Sequence, residues 1–335
     1  MPENKSKNLI EEGEKIMTKK STTFRGIFKT EKLVTVIWVG TAHQAQLAEK
    51  AGFKAIGISG SNTSTQILGL PDAGFLTLTE LVENAERICR AVDIPVLVDC
   101  DTGFGNAINV RRTVESIIRT GAAGLFIEDQ LAPKRCGHVK GKELIPLEEA
   151  VGKYRAALDV RDEMDPDFII MARTDGRGAV GGSLEEAIRR GKAYLDAGVD
   201  ILYVEALQSI DEIKEVRKAM GDSLLMVTTQ HIRTPLTEEA MIELGLCMSG
   251  CHIGYVGTIA MYDLLLEYKE RGLAAYIDFR RKTSKHPLGG LGTFDLTGFP
   301  KVVEWEKKYL PPEKLEAYEK SIGTYDPRVG RQGKL

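Results

Sequence analysis

PVLVDCDTGFGNAINVRRTVESIIRTGAAGLFIED, residues 95–129, decides the fold. Residues 95–101 are a short apolar run of strand type, residues 109–120 carry an amphipathic helical pattern, and residues 123–128 are again a strand. Gly121 stands where a helix stops and the chain turns back toward the sheet. Two short, nearly continuous apolar strands joined by a helix belong to a parallel sheet covered on both faces.

The same unit continues in both directions. Further strands are expected at 33–39, 54–59, 168–173, 201–205, 224–229 and 251–256. Helical patterns lie at 42–51, 79–91, 147–164, 184–197, 210–220, 237–244 and 258–269, and Gly52, Gly198, Gly221 and Gly245 end several of them. Eight strands alternating with eight helices predict an α/β fold of the closed (β/α)8 TIM-barrel kind rather than an open doubly wound sheet. Neither a Gly-x-Gly-x-x-Gly fingerprint nor a Walker-type loop supports a nucleotide fold, and no repeat of 20–50 residues is present.

The expected domains are an N-terminal arm at 1–20, polar and mobile, a catalytic barrel at 21–270, and a C-terminal helical extension at 271–335. The extension should pack on its own barrel or be exchanged with a neighbour. With 335 residues, 43% hydrophobic and 28% charged, the chain has the length and composition of one large barrel. A net charge of −3 with scattered Lys and Arg argues against nucleic acid. No apolar run approaches the ~20 residues of a membrane span, and the first 20 residues lack a secretory core. Five cysteines at irregular spacing (Cys89, Cys100, Cys136, Cys247 and Cys251) argue for a reducing cytoplasm. Four of these fall in strand or helix patterns and are read as core, leaving Cys136 as the chemical candidate.

A barrel carries its chemistry at the C-terminal strand ends. Asp99 and Asp101, two apart on a strand, face the same side while Cys100 faces away. With Glu128 at the matching level of the next strand they form a hard-oxygen set suited to Mg²⁺, with Mn²⁺ able to substitute. The bland alternative is three solvated caps. Cys136, flanked by Lys134, Arg135 and His138, is expected to have a lowered pKa and to act as proton donor or nucleophile. Asp72 lies in a long loop that is either a lid or an Asx turn after Pro71. Arg173, at a strand end, suits a clamp on a substrate carboxylate. Glu205 either shares in acid–base chemistry or orients Arg173. His43, His231 and His252 are read as structural.

These stretches resemble the isocitrate lyase and phosphoenolpyruvate mutase superfamily over about residues 30–206. The resemblance rests on Gly69-Leu70-Pro71-Asp72, on Asp99 to Asn106, on Ile127 to Gln130, on Lys134 to His138, and on Ala172 to Asp175. It points to the branch of 2-methylisocitrate lyase, dimethylmalate lyase and carboxyvinyl-carboxyphosphonate phosphonomutase. The resemblance implies a Mg²⁺ site at Asp99, Asp101 and Glu128, a substrate cradle at Ser59, Gly60 and Ser61, a gating Asp72, a loop-supporting Lys134, and Cys136 as general acid. It further implies a homotetramer with exchanged terminal helices.

The chain departs from 2-methylisocitrate lyase at Gly57, where that enzyme has Tyr, and at Val227-Thr228-Thr229-Gln230, where it has Asn-Ile-Thr-Glu. It also lacks a late Thr-Arg-x-Glu-Leu-Tyr segment. The resemblance thus implies retro-aldol cleavage of a small 2-substituted malate-like 2-hydroxy acid. Oxaloacetate-type decarboxylation and P–C bond chemistry on a phosphonate are the alternatives.

Overall fold

The computed structural model describes residues 19–323 and 325–327. The mobile arm expected at 1–20 falls, as far as residue 18, outside the described residues. The strands are β1 Val34–Val39, β2 Ala55–Ile58, β3 Val96–Asp99, β4 Gly124–Glu128, β5 Ile169–Thr174, β6 Ile201–Val204, β7 Leu224–Val227 and β8 Met248–His252. All neighbours pair in parallel in the order β7-β6-β5-β4-β3-β2-β1-β8. A parallel bridge between Leu225 and Leu246, with Cys247 N donating to Leu225 O at 2.9 Å, joins β7 to the approach of β8 and brings the ring together. The protein is a (β/α)8 barrel.

Ahead of β1 runs α1, Lys20–Thr30. Around the barrel follow α2 Ala42–Lys50, the short α3 Gly60–Thr63, α4 Leu78–Ala91, α5 Ala107–Arg119, α6 Leu147–Met164, α7 Leu184–Ala197, α8 Ile210–Met220 and α9 Glu238–Glu243. Beyond β8 come α10 Ile253–Arg271, α11 Leu273–Lys282, α12 Gly292–Leu296, α13 Phe299–Tyr309 and α14 Pro312–Glu319. None of the described helices is long and apolar enough to cross a membrane.

Alternation along each strand makes two cores. Ile37, Ile56, Val98, Leu125 and Ile170 point outward to the helices. Val36, Trp38, Leu97, Phe126, Met171 and Tyr203 fill the barrel interior. Helix α1 was not foreseen in the sequence, because only Ser21 and Phe24 of its eleven residues are buried. Phe24 nonetheless belongs to the interior cluster, and burying such a ring contributes about 1.5–3 kcal/mol. Lys20 Nζ donates to the carbonyls of Cys89 and Val92, at 2.7 and 2.6 Å, and ties this helix down.

Two expectations need correction. Strand β8 ends at His252 rather than running over 251–256, because pairing of Met248 with Val34 through His252 with Trp38 sets its register. The apolar Ile253-Gly-Tyr-Val run opens α10 instead. Cys251 is consequently exposed, not core.

Candidate active site

The site is built where β2 to β6 end. Asp99 closes β3, and its Oδ2 accepts from Gly60 N at 2.9 Å while its Oδ1 accepts from Asp101 N at 3.1 Å. Glu128 N donates to Asp101 O at 2.8 Å, which sets the end of β4 beside the Asp101 turn. Among the described residues, the non-glycine residues with positive φ are Asp101, Phe104 and Ala206, all in loops leaving the C-terminal strand ends. Held strain of this kind gathers where side chains are aimed for function.

The charges do not balance. Lys134 Nζ lies 2.8 Å from Asp101 Oδ1 and pairs more closely with Asp72. Burial works against the Lys134 ammonium, but the Glu128, Asp101, Asp99 and Asp72 carboxylates outweigh it and hold its pKa well above the usual range. Lys134 thus faces four carboxylates, with Arg173, itself shared with Asp175, as the one further cation at Glu128. Burial, with the neighbouring Asp99 and Asp72, raises Asp101 to about 6 against the pull of Lys134.

Glu128 is pushed well above the carboxylate range, chiefly by burial. Glu128 Oε1 is buried without a hydrogen-bond partner, and Glu128 Oε2 and Asp101 Oδ1, also buried, have only the ion-pair contacts with Arg173 and Lys134. Unsatisfied buried acceptors grouped among like charges are costly, and a hard divalent cation removes the cost. The donor set therefore fits Mg²⁺.

Sequence reasoning misjudged two neighbouring groups. The Cys136 thiol is pushed up, not down. Half-burial dominates and the neighbouring Asp72 carboxylate adds to it, while the lysine meant to lower it spends its charge on acids. Backbone contact repeats the link, since Cys136 N donates to Asp72 O at 3.1 Å, so the 69–75 loop is seated on the Lys134–His138 loop.

Arg173, expected to be a free clamp, is already engaged. Its Nε and Nη2 donate to Asp175, just past the end of β5, each at 3.0 Å. Its Nη1 lies 3.2 Å from Glu128 Oε2, and its guanidinium sits 5.2 Å over the Tyr203 ring.

Glu205 follows β6 and is saturated. Its Oε2 accepts from Tyr203 at 2.6 Å and from Thr228 at 2.5 Å, and its Oε1 meets His231 Nε2 at 3.1 Å. Arg173 and these bonds overcome burial and hold Glu205 well below the carboxylate range. His138 Nδ1 lies 3.2 Å from His231 Nε2. Partial burial with His231, Arg173 and Lys142 holds His138 below its ordinary pKa, against Glu205. His231, read as structural, thus belongs to the site. Its position depends on a 3-10 turn, Thr229–His231, that the sequence does not announce.

Glycines set the spacing. A Cβ on Gly137 would stand 2.5 Å from Arg173 Nη2 and 2.9 Å from Glu205, and one on Gly60 would stand 2.9 Å from Asp101 Oδ1. Of the residues expected in the substrate cradle, Gly60 N donates to Asp99, while Ser59 Oγ accepts from Asn62 N. The hydroxyl hydrogens of Ser59 and Ser61 are the remaining donors of that trio. At Gly57, where a side chain was expected to be missing, a Cβ would stand 2.4 Å from the Trp38 ring, so Trp38 of β1 fills that space.

The family model described as phosphoenolpyruvate phosphomutase matches residues 29–249. The chain belongs to the isocitrate lyase and phosphoenolpyruvate mutase superfamily. Its sequence is 38% identical over 292 residues to a 2,3-dimethylmalate lyase of Eubacterium barkeri, covering 85% of this chain and 96% of that one. The crystal structure of a 2,3-dimethylmalate lyase superposes with a TM-score of 0.73 at 27% identity, over 92% of this chain and 99% of that chain. A phosphonopyruvate hydrolase in complex with oxalate and Mg²⁺ gives 0.77 at 30% identity, over 88% and 100%. The chain is an enzyme of the lyase class within this superfamily.

Proposed function

We propose that the protein cleaves a carbon–carbon bond of a 2-substituted malate-like 2-hydroxy acid by a retro-aldol reaction, using Mg²⁺ at Asp99, Asp101 and Glu128. The observation that carries the metal assignment is Glu128, buried with its Oε1 unpartnered and grouped with Asp99, Asp101 and Asp72. The chemistry Mg²⁺ supplies when bound is positive charge for the carboxylate and carbonyl-derived oxygens beside the breaking bond. The name of the Eubacterium barkeri relative, a 2,3-dimethylmalate lyase, supports the substrate class.

The chain's own residues do the rest. Ser61 faces the substrate at the end of β2, and Arg173, fixed by Asp175, presents a rigid positive charge rather than a swinging clamp. His138, held neutral at the edge of the site, accepts the hydroxyl proton. The carbon left by bond cleavage takes its proton from Cys136, whose raised pKa keeps the thiol protonated near neutral pH. Asp72 orients that thiol and closes the loop over it. Glu205 positions Arg173 and His231 and does not itself exchange protons, because its lone pairs are taken.

The active form is a homo-oligomer, in the manner of a tetramer with exchanged helices. Helix α10 supports this: Tyr255, Val256, Ile259, Met261, Tyr262 and Leu265 are exposed and point to all sides of the helix axis. Substituted malates, 2-oxo acids and phosphonopyruvates assayed with Mg²⁺, with products read by NMR, test the reaction. Pyruvate-type and carboxylic products from a substituted malate support it. Turnover of phosphonates or simple loss of CO₂ from oxaloacetate, with no malate cleaved, replaces it.

A further inference from the structure

We propose that Trp38 sets which acids this enzyme takes: its indole, laid across Gly57, is the apolar wall against which the substituent on carbon 2 of the substrate packs, and it admits only a short alkyl group. The substrate's chemistry in this proposal rests on the lyase reading above.

The room for the indole comes from its neighbours. Trp38 of β1 is in register with Gly57 of β2 and with His252 of β8. Adjacent strands lie only about 4.8 Å apart, so an inward indole must lie over the strands beside its own. A Cβ on Gly57 would stand 2.4 Å from both Cε3 and Cζ3, and one on Gly250 of β8 would stand 3.1 Å from Nε1. The ring thus reaches over both flanking strands, and each has glycine where it passes.

Its level in the barrel is that of the site's floor. Trp38 meets Phe126 edge-to-face at 6.0 Å, and Phe126 meets Tyr203 in the same way at 5.8 Å. Glu128 and Glu205 stand two residues beyond Phe126 and Tyr203, so this aromatic row lies directly beneath the acids. Trp38 keeps 6% of its surface exposed, whereas Val36, two residues deeper on β1, keeps none. The open part of the ring therefore belongs to the mouth of the barrel. His252 stacks on Trp38 at 5.9 Å with the planes 17° from parallel, and the charges of Asp99, Glu205 and His138 reach it.

The two ends of the substrate are thereby separated. Cys136 and His138 come from the loop after β4, three strands from β1 in the sheet order. The carbon that Cys136 protonates lies on that side. Carbon 2, whose oxygens belong with Asp99 and Asp101, turns its substituent toward β1 and β2, where Trp38 supplies the apolar surface. A flat ring hemmed in by strands cannot draw back from a longer chain, and one methylene too many in a tight pocket lowers kcat/KM by roughly 10–200-fold.

The test uses the full chain and malates bearing hydrogen, methyl, ethyl or propyl on carbon 2. Wild type should lose roughly 10–200-fold in kcat/KM at the first group that is too long. Trp38→Leu should move that cutoff to a longer group, and Gly57→Ala, whose methyl meets the indole, to a shorter one. A ring that merely fills the core predicts instead the same proportional loss for every malate. Trp38→Phe stands in if Leu lowers the melting temperature. A second readout needs no turnover. The chain has two tryptophans, and Trp305 is exposed on α13, so Trp305→Phe leaves the emission of Trp38 alone. Millimolar pyruvate, 2-oxobutyrate or 2-oxovalerate, added with Mg²⁺ as product-side ligands, should shift that emission. A chain that cleaves no malate fails the lyase reading alone, because the emission titration still decides the wall. Emission unmoved by all three 2-oxo acids, or an unchanged size order in both Trp38 variants at native melting temperature, overturns the proposal.

Discussion

Asp101→Asn should inactivate the enzyme and at the same time stabilise its metal-free form. The carboxyl sits beside Asp99 and Asp72 with burial as the main strain, and its pKa is raised from 3.8 to about 6. At 1.36 kcal/mol per pKa unit, ionising it in the folded state costs about 3 kcal/mol relative to the unfolded chain. Because the native pKa lies above the unfolded one, the metal-free native state binds the extra proton between about pH 4 and pH 6. Stability therefore falls as pH rises through that window, and the full penalty is present at neutral pH. Asparagine has nearly the same shape and no charge, so the variant should gain about 3 kcal/mol over wild type at pH 7.5 in EDTA and nothing below about pH 4.

Mg²⁺ should reverse the order. At 100 times its dissociation constant a ligand stabilises its native state by about 2.7 kcal/mol, and the variant should lose most of that. Urea unfolding in EDTA and in Mg²⁺, at pH 4 and pH 7.5, reads all four values. A variant less stable than wild type in EDTA at pH 7.5, or one stabilised equally by Mg²⁺, refutes the reasoning.

Turnover should vanish in EDTA and return with Mg²⁺ or Mn²⁺, and Glu128→Gln should blunt the response; full activity in chelator contradicts the carboxylate site. Cys136→Ser should bind substrate and Mg²⁺ while its turnover drops by roughly 10²–10⁴-fold, as for a lost general acid, and near-normal turnover makes Cys136 structural. In a Cys251→Ser background, iodoacetamide should label Cys136 slowly at pH 7.5 and faster only above about pH 9, because burial and Asp72 hold the proton on sulfur; rapid labelling at pH 7 contradicts this. Methylisocitrate should be turned over with a kcat/KM below ~10⁴ M⁻¹s⁻¹, since Val227 and Gln230 replace polar partners of a larger acid. A value in the ordinary enzyme range refutes that. Gly137→Ala should destabilise by about 1–3 kcal/mol and depress activity, since its Cβ would collide with Arg173 and Glu205; wild-type melting temperature and turnover would show that the loop has room to spare.

The barrel was legible because each strand is a short apolar run and several helices end in glycine, signals local to the chain. Strand β8 was misplaced by three residues at its start, because an apolar run such as Ile253 to Val256 suits a buried strand or a helix, and pairing with β1 decides between them. The carboxylate group was legible from its place at the C-terminal strand ends, but not from strand periodicity, since β3 stops at Asp99 and Asp101 sits in a turn of positive φ beyond it. Arg173 was not, because its partner Asp175 stands two residues on, at extended-chain rather than helical spacing. The Cys136 pKa was misjudged for a related reason: sequence shows which cations are near in the chain, not which acids they already serve. Lys134 is spent on Asp72 and Asp101.

Helix α10 gives the chain a sense of how much of itself is present. A helix apolar on every side has no orientation that hides it from water when the chain is alone. In the homo-oligomer proposed above, another copy covers its exposed rings and aliphatic chains, so dilution should withdraw part of the protein's stability. Newly made chains pass through a stage in which that surface is open, and chaperones and proteases respond to such surfaces. Synthesis rate thereby enters the yield of active enzyme, and a substitution on α10, far from the carboxylates, can silence the enzyme by removing it from the cell rather than by slowing its chemistry.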